Sequence, residues 1–254
     1  KNSKNVILRD VNRGSFYAGS MVILVFGSSA SGSEFFANAM QDYNRAIIVG
    51  SNTFGKATMQ QIFPIDENSP TTDFVKITTE KFYRVTGKSN QNSGLQPDVT
   101  IPDIFDTFNT REEKLDNAFP NDEITSNLRY QTLITNFKSA VNNSQNRVNN
   151  SEYFRTVNNY KKYFNTLFEV KKTEKITLTI DGVFKYVHQH DAAFDSLQSV
   201  TQKIYISTIT PTTNDQEKLK FDAVLNEVSN KRMEKLKHDY DLMESAKIVT
   251  ELNP

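Results

Sequence analysis

The chain has 254 residues, with 30 basic and 30 acidic side chains, so its formal net charge is zero. This length allows one large domain or two smaller ones, and the balanced charge gives no indication of nucleic-acid or anionic-membrane binding. Cysteine is absent, which suits an oxidising compartment but is also common in cytosolic proteins. The longest apolar run, residues 21–26, is too short to span a bilayer.

The first strands and the first helix are predicted between residues 21 and 49. Residues 21–26 and 46–49 are short apolar runs bounded by glycine, typical of buried strands in an α/β sheet covered on both faces. Residues 34–43 between them predict a helix, and the preceding serines supply capping hydroxyls. Glu34 suits the positive first turn of that helix. Its apolar side chains recur at helical spacing on one face: Phe36, Ala39, Met40 and Tyr43.

The remainder of the first part is also predicted to be extended. Residues 73–79 and 81–85 suggest two more strands, and residues 94–102 close this part with a turn and an extended exit. Glycine almost disappears after residue 104. We therefore divide the chain into an α/β part, residues 1–103, and a mainly α-helical part, residues 104–254.

Helical periodicity dominates the second part. Residues 152–168 repeat apolar side chains at spacings near 3.6, and residues 215–252 predict a long exposed helix or a helical pair. Residues 175–187 alternate apolar and polar side chains around a central Asp-Gly, which favours a hairpin, although a short apolar run is ambiguous. Residues 138–151 and 207–216 are expected to be polar linkers.

A serine and a lysine carry the strongest chemical signal. Ser31 lies in the run Gly-Ser-Ser-Ala-Ser-Gly-Ser-Glu, and Lys56 follows in the run Thr-Phe-Gly-Lys. A lysine that is neutral in a dry pocket can take the proton of an attacking serine. A Ser-His-Asp triad has little support, because the histidines lie far along the chain: His188, His190 and His238.

Both residues also have an ordinary structural interpretation. The serines around Ser31 can simply cap the helix, and Lys56 can be an exposed loop lysine, which stays protonated at neutral pH. Composition alone favours these structural roles. The functional interpretation needs backbone amides for an oxyanion, and the start of the helix offers them at Gly32.

Gln60 and Asp42 are candidates for supporting roles. An extended segment points Gln60 to the same side as Lys56, but a flat strand separates their Cα atoms by roughly 13 Å, so contact needs a bulge or a bend. Asp42 lies at the far end of the predicted helix, about 16 Å of helical rise from Ser31. We expect Asp42 to pair with Arg45 or to hold the loop around Lys56.

These motifs resemble the tail-specific, or C-terminal processing, peptidases. Residues 29–34 resemble the nucleophile segment of that family, with Ser31 at the nucleophile, and residues 53–56 resemble the segment that carries the general base, Lys56. Further motifs recur in order at residues 39–50, 81–87 and 94–98. The similarity covers about residues 20–103, and weaker resemblance to the longer, Gram-negative type follows at residues 116–124 and 239–246.

The resemblance implies a fold, an activity and a set of site residues. The fold is a crotonase-like α/β protease core, present here in part, and the activity is hydrolysis of polypeptides through an acyl-enzyme on Ser31. Lys56 is then the general base, Gln60 its orienting partner, and Gly32 the donor of an oxyanion amide. Asp42 matches an aspartate long counted in the catalytic set of the family. The matching run reverses the structural interpretation of Ser31 and Lys56, since chance does not supply both within it.

The chain departs from the family before its nucleophile. It contains neither a PDZ domain nor the Asn-Gly-Gly element that donates an oxyanion amide, and it lacks an initiating methionine. It therefore reads as a piece of a longer precursor whose targeting signal cannot be judged. We expect the full-length protein to be a peptidase of the periplasm or cell envelope of a bacterium. We expect this piece alone to be inactive or feeble, since losing one oxyanion donor costs about 10²–10³ in rate.

The resemblance also implies partners. These are protein substrates with apolar C-terminal tails, an adaptor protein bound by the helical part and peripheral association with a membrane, but no nucleic acid. Two other classes stay open: a non-catalytic scaffolding or adaptor-binding module derived from such a peptidase, and an acyl-CoA enzyme of the same broad fold. We expect neither a cofactor nor a metal, because His188, His190 and Asp191 stand together without further ligands.

Overall fold

The computed structural model describes residues 11, 14–66, 73–108, 111–170, 175, 177–189 and 191–253. The strands in chain order are β1 (Val22–Val25), β2 (Ile47–Gly50), β3 (Thr58–Pro64), β4 (Phe74–Lys81) and β5 (Val99–Thr100). The helices are α1 (Gly32–Asp42), α2 (Lys138–Asn149), α3 (Glu152–Val170), α4 (Ile180–His188), α5 (Asp191–Thr201), α6 (Thr213–Leu219), α7 (Ala223–Leu236) and α8 (Tyr240–Leu252). Short 3-10 helices lie at Ile104–Phe108 and Glu112–Lys114. An α/β part followed by a helical part confirms the predicted fold class.

A parallel sheet in the order β1-β2-β5 forms the centre of the first part. The predicted strands at 21–26 and 46–49 and the predicted helix at 34–43 are confirmed as β1, β2 and α1. Since α1 crosses from β1 to a parallel neighbour, the end of β1 and the start of α1 meet in one tight loop. That loop contains Ser31.

Helices cover both faces of this sheet, as expected for a parallel sheet. On one face Ala37 of α1 packs with buried apolar residues of β1 and β2. On the other face α2 and α8 bury Val148 and Ile248 against Ile47 and Val49 of β2. Two helices of the second part therefore complete the core of the first, while the predicted boundary after residue 103 stays a prediction.

β3 and β4 form an antiparallel hairpin beside the sheet. The predicted strand at 73–79 is confirmed as part of β4, but the strand predicted at 81–85 is wrong. The ladder ends at Lys81, and the partner of β4 is β3, which begins just after Lys56. The hairpin exposes several apolar side chains, among them Ile62 and Phe74.

The expected linker at residues 138–151 is wrong, because this segment is the helix α2. The polar composition hid three small or apolar side chains at helical spacing, which are buried: Ala140, Ser144 and Val148. They face the sheet and α8. A polar helix with one narrow buried stripe thus resembles a linker by composition alone.

The expected hairpin at residues 175–187 is also wrong, because residues 180–188 form α4. The Thr179 hydroxyl accepts the Gly182 N–H at 3.1 Å and starts the helix. Ile180, Val183 and Val187 fit a helical period as well as an alternating one, and the cap decides between the two.

The last part of the chain is three helices rather than one or two. Asp222 and Asp239 accept the N–H groups of Leu225 and Leu242, at 2.9 and 2.8 Å, and begin α7 and α8.

Residues 207–212 are irregular, as predicted, but α6 begins at Thr213. The predicted helix at 152–168 is confirmed as α3. None of the helices in the described ranges is long and apolar enough to cross a membrane.

Candidate active site

The loop between β1 and α1 holds Ser31 in a strained backbone conformation. Ser31 is the N-cap of α1 and has φ 56° and ψ −114°, a region that residues other than glycine adopt at a cost. Its side chain is half-buried. A serine on a sharp, strained turn from strand to helix is the arrangement that exposes a nucleophilic hydroxyl.

The loop that carries Lys56 passes close to two other backbones, and two glycines permit this. At Gly50, with φ 131°, a Cβ atom would lie 1.9 Å from the Val25 carbonyl oxygen. At Gly55, with φ 96°, a Cβ atom would lie 3.0 Å from the backbone of Asn92. The positive φ and the missing Cβ atom at these glycines allow the close approach that brings Lys56 to the side of the Ser31 loop.

The carboxylate of Glu34 joins the two loops. Glu34 is fully buried, and its Oε2 accepts the N–H of Ser31 and the N–H of Lys56, both at 2.9 Å. Its Oε1 accepts the Gly55 N–H at 2.8 Å and the Thr53 hydroxyl at 2.5 Å. Since the Ser31 and Lys56 nitrogens bond the same oxygen, their separation cannot exceed twice 2.9 Å.

The Lys56 side chain is half-buried, and within the described ranges no ion pair of its ammonium group is recorded. The loop is held from the other side by Gln91, which is fully buried. The Gln91 amide oxygen accepts the Ala57 N–H at 2.7 Å, and its nitrogen donates to Glu112 at 3.0 Å. The backbone around Lys56 is thus fixed by side chains from both directions.

Gln60 lies on β3, immediately after a shift in the register of the hairpin between Met59 and Gln60. This irregularity is of the kind that contact between Gln60 and Lys56 requires. The recorded hydrogen bonds of the Gln60 amide go to the hydroxyls of Thr58, at 2.9 Å, and Thr78, at 3.3 Å. The orienting role of Gln60 on Lys56 stays a prediction.

Asp42 lies at the opposite end of α1 from Ser31 and pairs with Arg84. The Arg84 Nε donates to both carboxylate oxygens, at 3.1 and 3.0 Å, and Nη2 lies 2.5 Å from Oδ1. The Asp42 side chain is only 6% exposed. Pairing with Arg45 was expected and is wrong, because Arg45 donates instead to the Tyr17 carbonyl oxygen at 2.8 Å. Asp42 therefore links α1, through Arg84, to the segment after β4.

Gly32, the first residue of α1, faces open space. It is exposed, and a Cβ atom built on it would have no neighbour within 4 Å. The Ser31 N–H is occupied by Glu34, whereas no hydrogen bond from the Gly32 N–H to a described residue is recorded. The Gly32 amide at the positive end of the helix dipole is therefore the one placed to meet an oxyanion.

A cavity of about 890 Å³ lies away from these residues, between the β1–α1 loop and the second part of the chain. Ser31 and Lys56 do not line it. Among the described residues no group of three or more potential ligands could hold a metal ion. His188 pairs with Asp191 at 2.8 Å, and His190 lies outside the described residues.

Two residues of this arrangement went unrecognised in the sequence. Glu34 was assigned only to the helix dipole, although Ser31 and Glu34 have the Ser-x-x-Glu spacing of a capping box. The predicted apolar face of α1 is wrong, because Phe36 is about half exposed (51%). The buried residues of α1 are Glu34, Ala37 and Asn38. Gln91 carried no local signal, since its partners lie at residues 57 and 112.

Comparisons with known proteins find similarity over part of the chain. Residues 2–101 match the sequence profile of the family described as peptidase family S41. The tail-specific protease of Haemophilus influenzae is 45% identical over 116 residues, which are 43% of this chain and 16% of that protein. The carboxy-terminal-processing protease of Bartonella bacilliformis is 40% identical over 81 residues, 32% of this chain and 18% of that protein.

A solved structure, of the photosystem II D1 C-terminal processing protease, is 32% identical and covers 32% of this chain and 20% of its own, with a TM-score of 0.29. At this TM-score the likeness is a local one. The chain spans less than a fifth of the two curated relatives named above.

Proposed function

We propose, from the match of residues 2–101 to peptidase family S41, that the full-length protein is a serine endopeptidase of the C-terminal processing type. In this proposal Ser31 is the nucleophile and Lys56 the general base. The observation that supports it is the shared hydrogen-bond acceptor of the two loops: the N–H groups of Ser31 and Lys56 both donate to Glu34 Oε2. A serine and a lysine from distant segments are thereby neighbours, as nucleophile and base must be.

The proposed reaction forms and then hydrolyses an acyl-enzyme. Ser31 Oγ attacks the scissile carbonyl carbon while neutral Lys56 Nζ takes the hydroxyl proton. The tetrahedral intermediate collapses, the C–N bond breaks, and the lysine returns the proton to the leaving amine. Water then attacks the Ser31 ester with Lys56 again as base, which frees the acid product and the serine.

The oxyanion of each tetrahedral intermediate is assigned to the Gly32 N–H. Its support is that this amide is exposed and opens onto free space, while the preceding N–H is already used by Glu34. A second donor belongs to the upstream element of the family that this sequence does not contain. We assign the orientation of Lys56 to Gln60, the third residue of β3, and structural support to Asp42 through Arg84.

The substrates in this proposal are polypeptides with apolar C-terminal tails, processed in the bacterial periplasm or envelope. The support is that the two curated relatives named above are bacterial and are named for tail-specific or carboxy-terminal processing. An adaptor bound by the helical part and peripheral membrane association complete the proposal. Fractionation of cells into cytoplasm, membrane and periplasm tests the location, and recovery in the cytoplasm alone contradicts it.

The test of the mechanism uses the full-length gene product and an unfolded protein that ends in an apolar tail. Ser31→Ala and Lys56→Ala are each expected to lower kcat by at least about 10³-fold, because each removes a group that acts directly on the reacting atoms. The measurement is the initial cleavage rate, with circular dichroism as the check that both variants are folded.

Two substitutions nearby serve as controls. Ser33→Ala removes an exposed serine from the same helix, and Lys76→Ala removes an exposed lysine from the hairpin, and both are expected to cleave normally. Normal cleavage by Ser31→Ala contradicts the nucleophile. A folded wild-type protein that cleaves no polypeptide favours the scaffolding module instead, and turnover of acyl-CoA thioesters favours the acyl-CoA enzyme.

A further inference from the structure

We propose that Glu34 is a positioning residue of the peptidase, whose carboxylate sets the distance between the nucleophile and the general base. The inference rests on the proposed function and adds a residue to its machinery. Glu34 acts through the backbone: its carboxylate accepts the N–H groups of Ser31 and Lys56.

The first argument is burial. Glu34 has no solvent-accessible surface, so water does not compete for its two oxygens. Hydrogen bonds to a buried carboxylate are short and strong, and a donor left without its acceptor there is costly. The one other recorded hydrogen bond between the two loops runs from the Phe54 N–H to the Ser29 carbonyl oxygen at 2.9 Å, to one side of the reacting residues. Glu34 is therefore the contact that includes Ser31 and Lys56 themselves.

The second argument is the backbone strain of Ser31. Its positive φ persists only where the surroundings impose it, and the bond from its N–H to Glu34 is one such constraint. Without that bond the backbone can relax toward an ordinary conformation. Relaxation reorients the Cα–Cβ bond and therefore displaces the Ser31 hydroxyl.

The third argument is the number of donors. Four donors converge on the carboxylate, two on each oxygen, from Ser31, Thr53, Gly55 and Lys56. A glutamine in the same place has one oxygen and an NH₂ group, which itself donates. The glutamine oxygen can accept from one pair of donors, but the NH₂ group then faces the other pair of donors. Only a carboxylate joins the base loop to the nucleophile loop at all four points.

The test compares Glu34→Gln with the wild type in the full-length protein, using the same tailed substrate. We expect kcat to fall by about 10²-fold, the effect of a displacement of about 1 Å between reacting groups. We expect KM to stay within about 2-fold, because Glu34 is buried beneath the site and has no surface for a substrate to touch. Kinetics are measured well below the melting temperature of each variant.

Glu244→Gln is the matched control, because Glu244 is an equally buried glutamate on α8, away from both loops. It is expected to destabilise the fold but to keep kcat. Equal losses of kcat in the two variants would overturn the positioning role and leave a general effect on folding. If Glu34→Gln does not fold, Glu34→Asp decides. It keeps the charge but is one methylene too short to reach both loops, and a wild-type kcat there overturns the inference.

Failure of the inference is distinct from failure of the proposed function. An inactive Ser31→Ala together with a wild-type kcat in Glu34→Gln overturns only the positioning role. An active Ser31→Ala overturns both, since a residue cannot position a nucleophile that the reaction does not use.

Discussion

The strained backbone conformation of Ser31 lowers the stability of the fold, and substitutions at this position can measure by how much. At φ 56° glycine is free of the strain that serine and alanine bear. We therefore expect Ser31→Gly to be more stable than Ser31→Ala by about 1 kcal/mol in the free energy of unfolding, although both are inactive. Denaturant unfolding of the two variants measures the difference.

Ser33 supplies the opposite control on the same helix. It lies in the first turn of α1 with helical backbone, where glycine is less favourable than alanine by up to about 1 kcal/mol. The order of stability should therefore invert between the two positions. If Ser31→Gly and Ser31→Ala are equally stable, the strain assigned to the nucleophile loop is absent.

At the scale of single residues, the sequence predicts chemistry better than it predicts contacts. Ser31 and Lys56 were found by residue type and by resemblance to a family. For Asp42 the sequence suggests either Arg45, which is near in sequence, or the loop around Lys56, but its partner is Arg84, which reaches it only after the hairpin has turned the chain back. The hydrogen bonds of Glu34 are likewise made to residues that are distant in sequence, because three of its four donors lie in another loop.

At the scale of elements, α2 and α8 are joined by a buried carboxylate whose partner can be removed. Glu244 of α8 is fully buried and accepts the Ser144 hydroxyl and Arg147 Nε of α2, both at 2.8 Å. Arg147→Met leaves Glu244 without its cation and should lower the free energy of unfolding by about 2 kcal/mol or more. The double variant Arg147→Met with Glu244→Leu should recover most of this loss, because no fully buried charge is then left unpaired and Glu251, the other partner of Arg147, is partly exposed.

The surface pair of Lys203 and Glu152 provides the comparison. Its atoms are 3.0 Å apart, but both side chains are more than half exposed, so Lys203→Met should change stability by no more than about 0.5 kcal/mol. Chemical denaturation of these variants, of the single variant Glu244→Leu and of the wild type gives the values. An additive double variant would mean that Arg147 and Glu244 do not interact.

The elements that the sequence predicted correctly are those with one strong pattern. β1 and β2 are apolar runs bounded by glycine, and α3 has a long helical period. The errors fall where two periods fit the same residues or where polar composition masks a buried stripe, as at α4 and α2. In α4 a single hydrogen bond at Thr179 selects the helix, and no count of apolar residues contains that information.

At the scale of the whole molecule, stability should depend on pH through Asp241. Burial, together with the nearby carboxylates of Asp239 and Asp103, raises the pKa of Asp241 from its ordinary value of 3.8 to about 7. Its Oδ1 is buried without a hydrogen bond, beside the cavity that Lys235 and His238 also line. Asp103 belongs to the first part of the chain and Asp241 to the second, so the effect reports on their association.

The sign follows from proton binding. Between about pH 4 and pH 7 unfolded Asp241 has lost its proton while folded Asp241 retains it, so the free energy of unfolding falls as pH rises. This group should contribute a loss of about 2–4 kcal/mol across that range. Asp241→Asn removes the contribution, so its advantage over wild type should grow from pH 4 to pH 7. Asp195→Asn, at an exposed carboxylate of α5, should follow wild type throughout. A constant difference between Asp241→Asn and wild type would contradict the assignment.

Composition predicts the division of the chain into two parts. It does not predict that helices of the second part pack into the core of the first. Periodicity places apolar residues on a face without saying which distant element covers it. The sheet face that Val49 presents is closed by Val148, 99 residues later, and by Ile248, 199 residues later. Pairings at that separation leave no trace in a single sequence.

The packing of α8 on β1 can form only after α8 itself has been synthesised. The first strands leave the ribosome long before the helix that covers them has been made, and at 5–20 residues per second the interval is on the order of ten seconds or more. For that time the nascent chain carries a bare sheet face, the type of surface that chaperones bind. Translation of α8 therefore ends this exposure, and the hydrogen bond from Ser20 to Asn253, at 3.0 Å, joins the segment before β1 to the residue after α8.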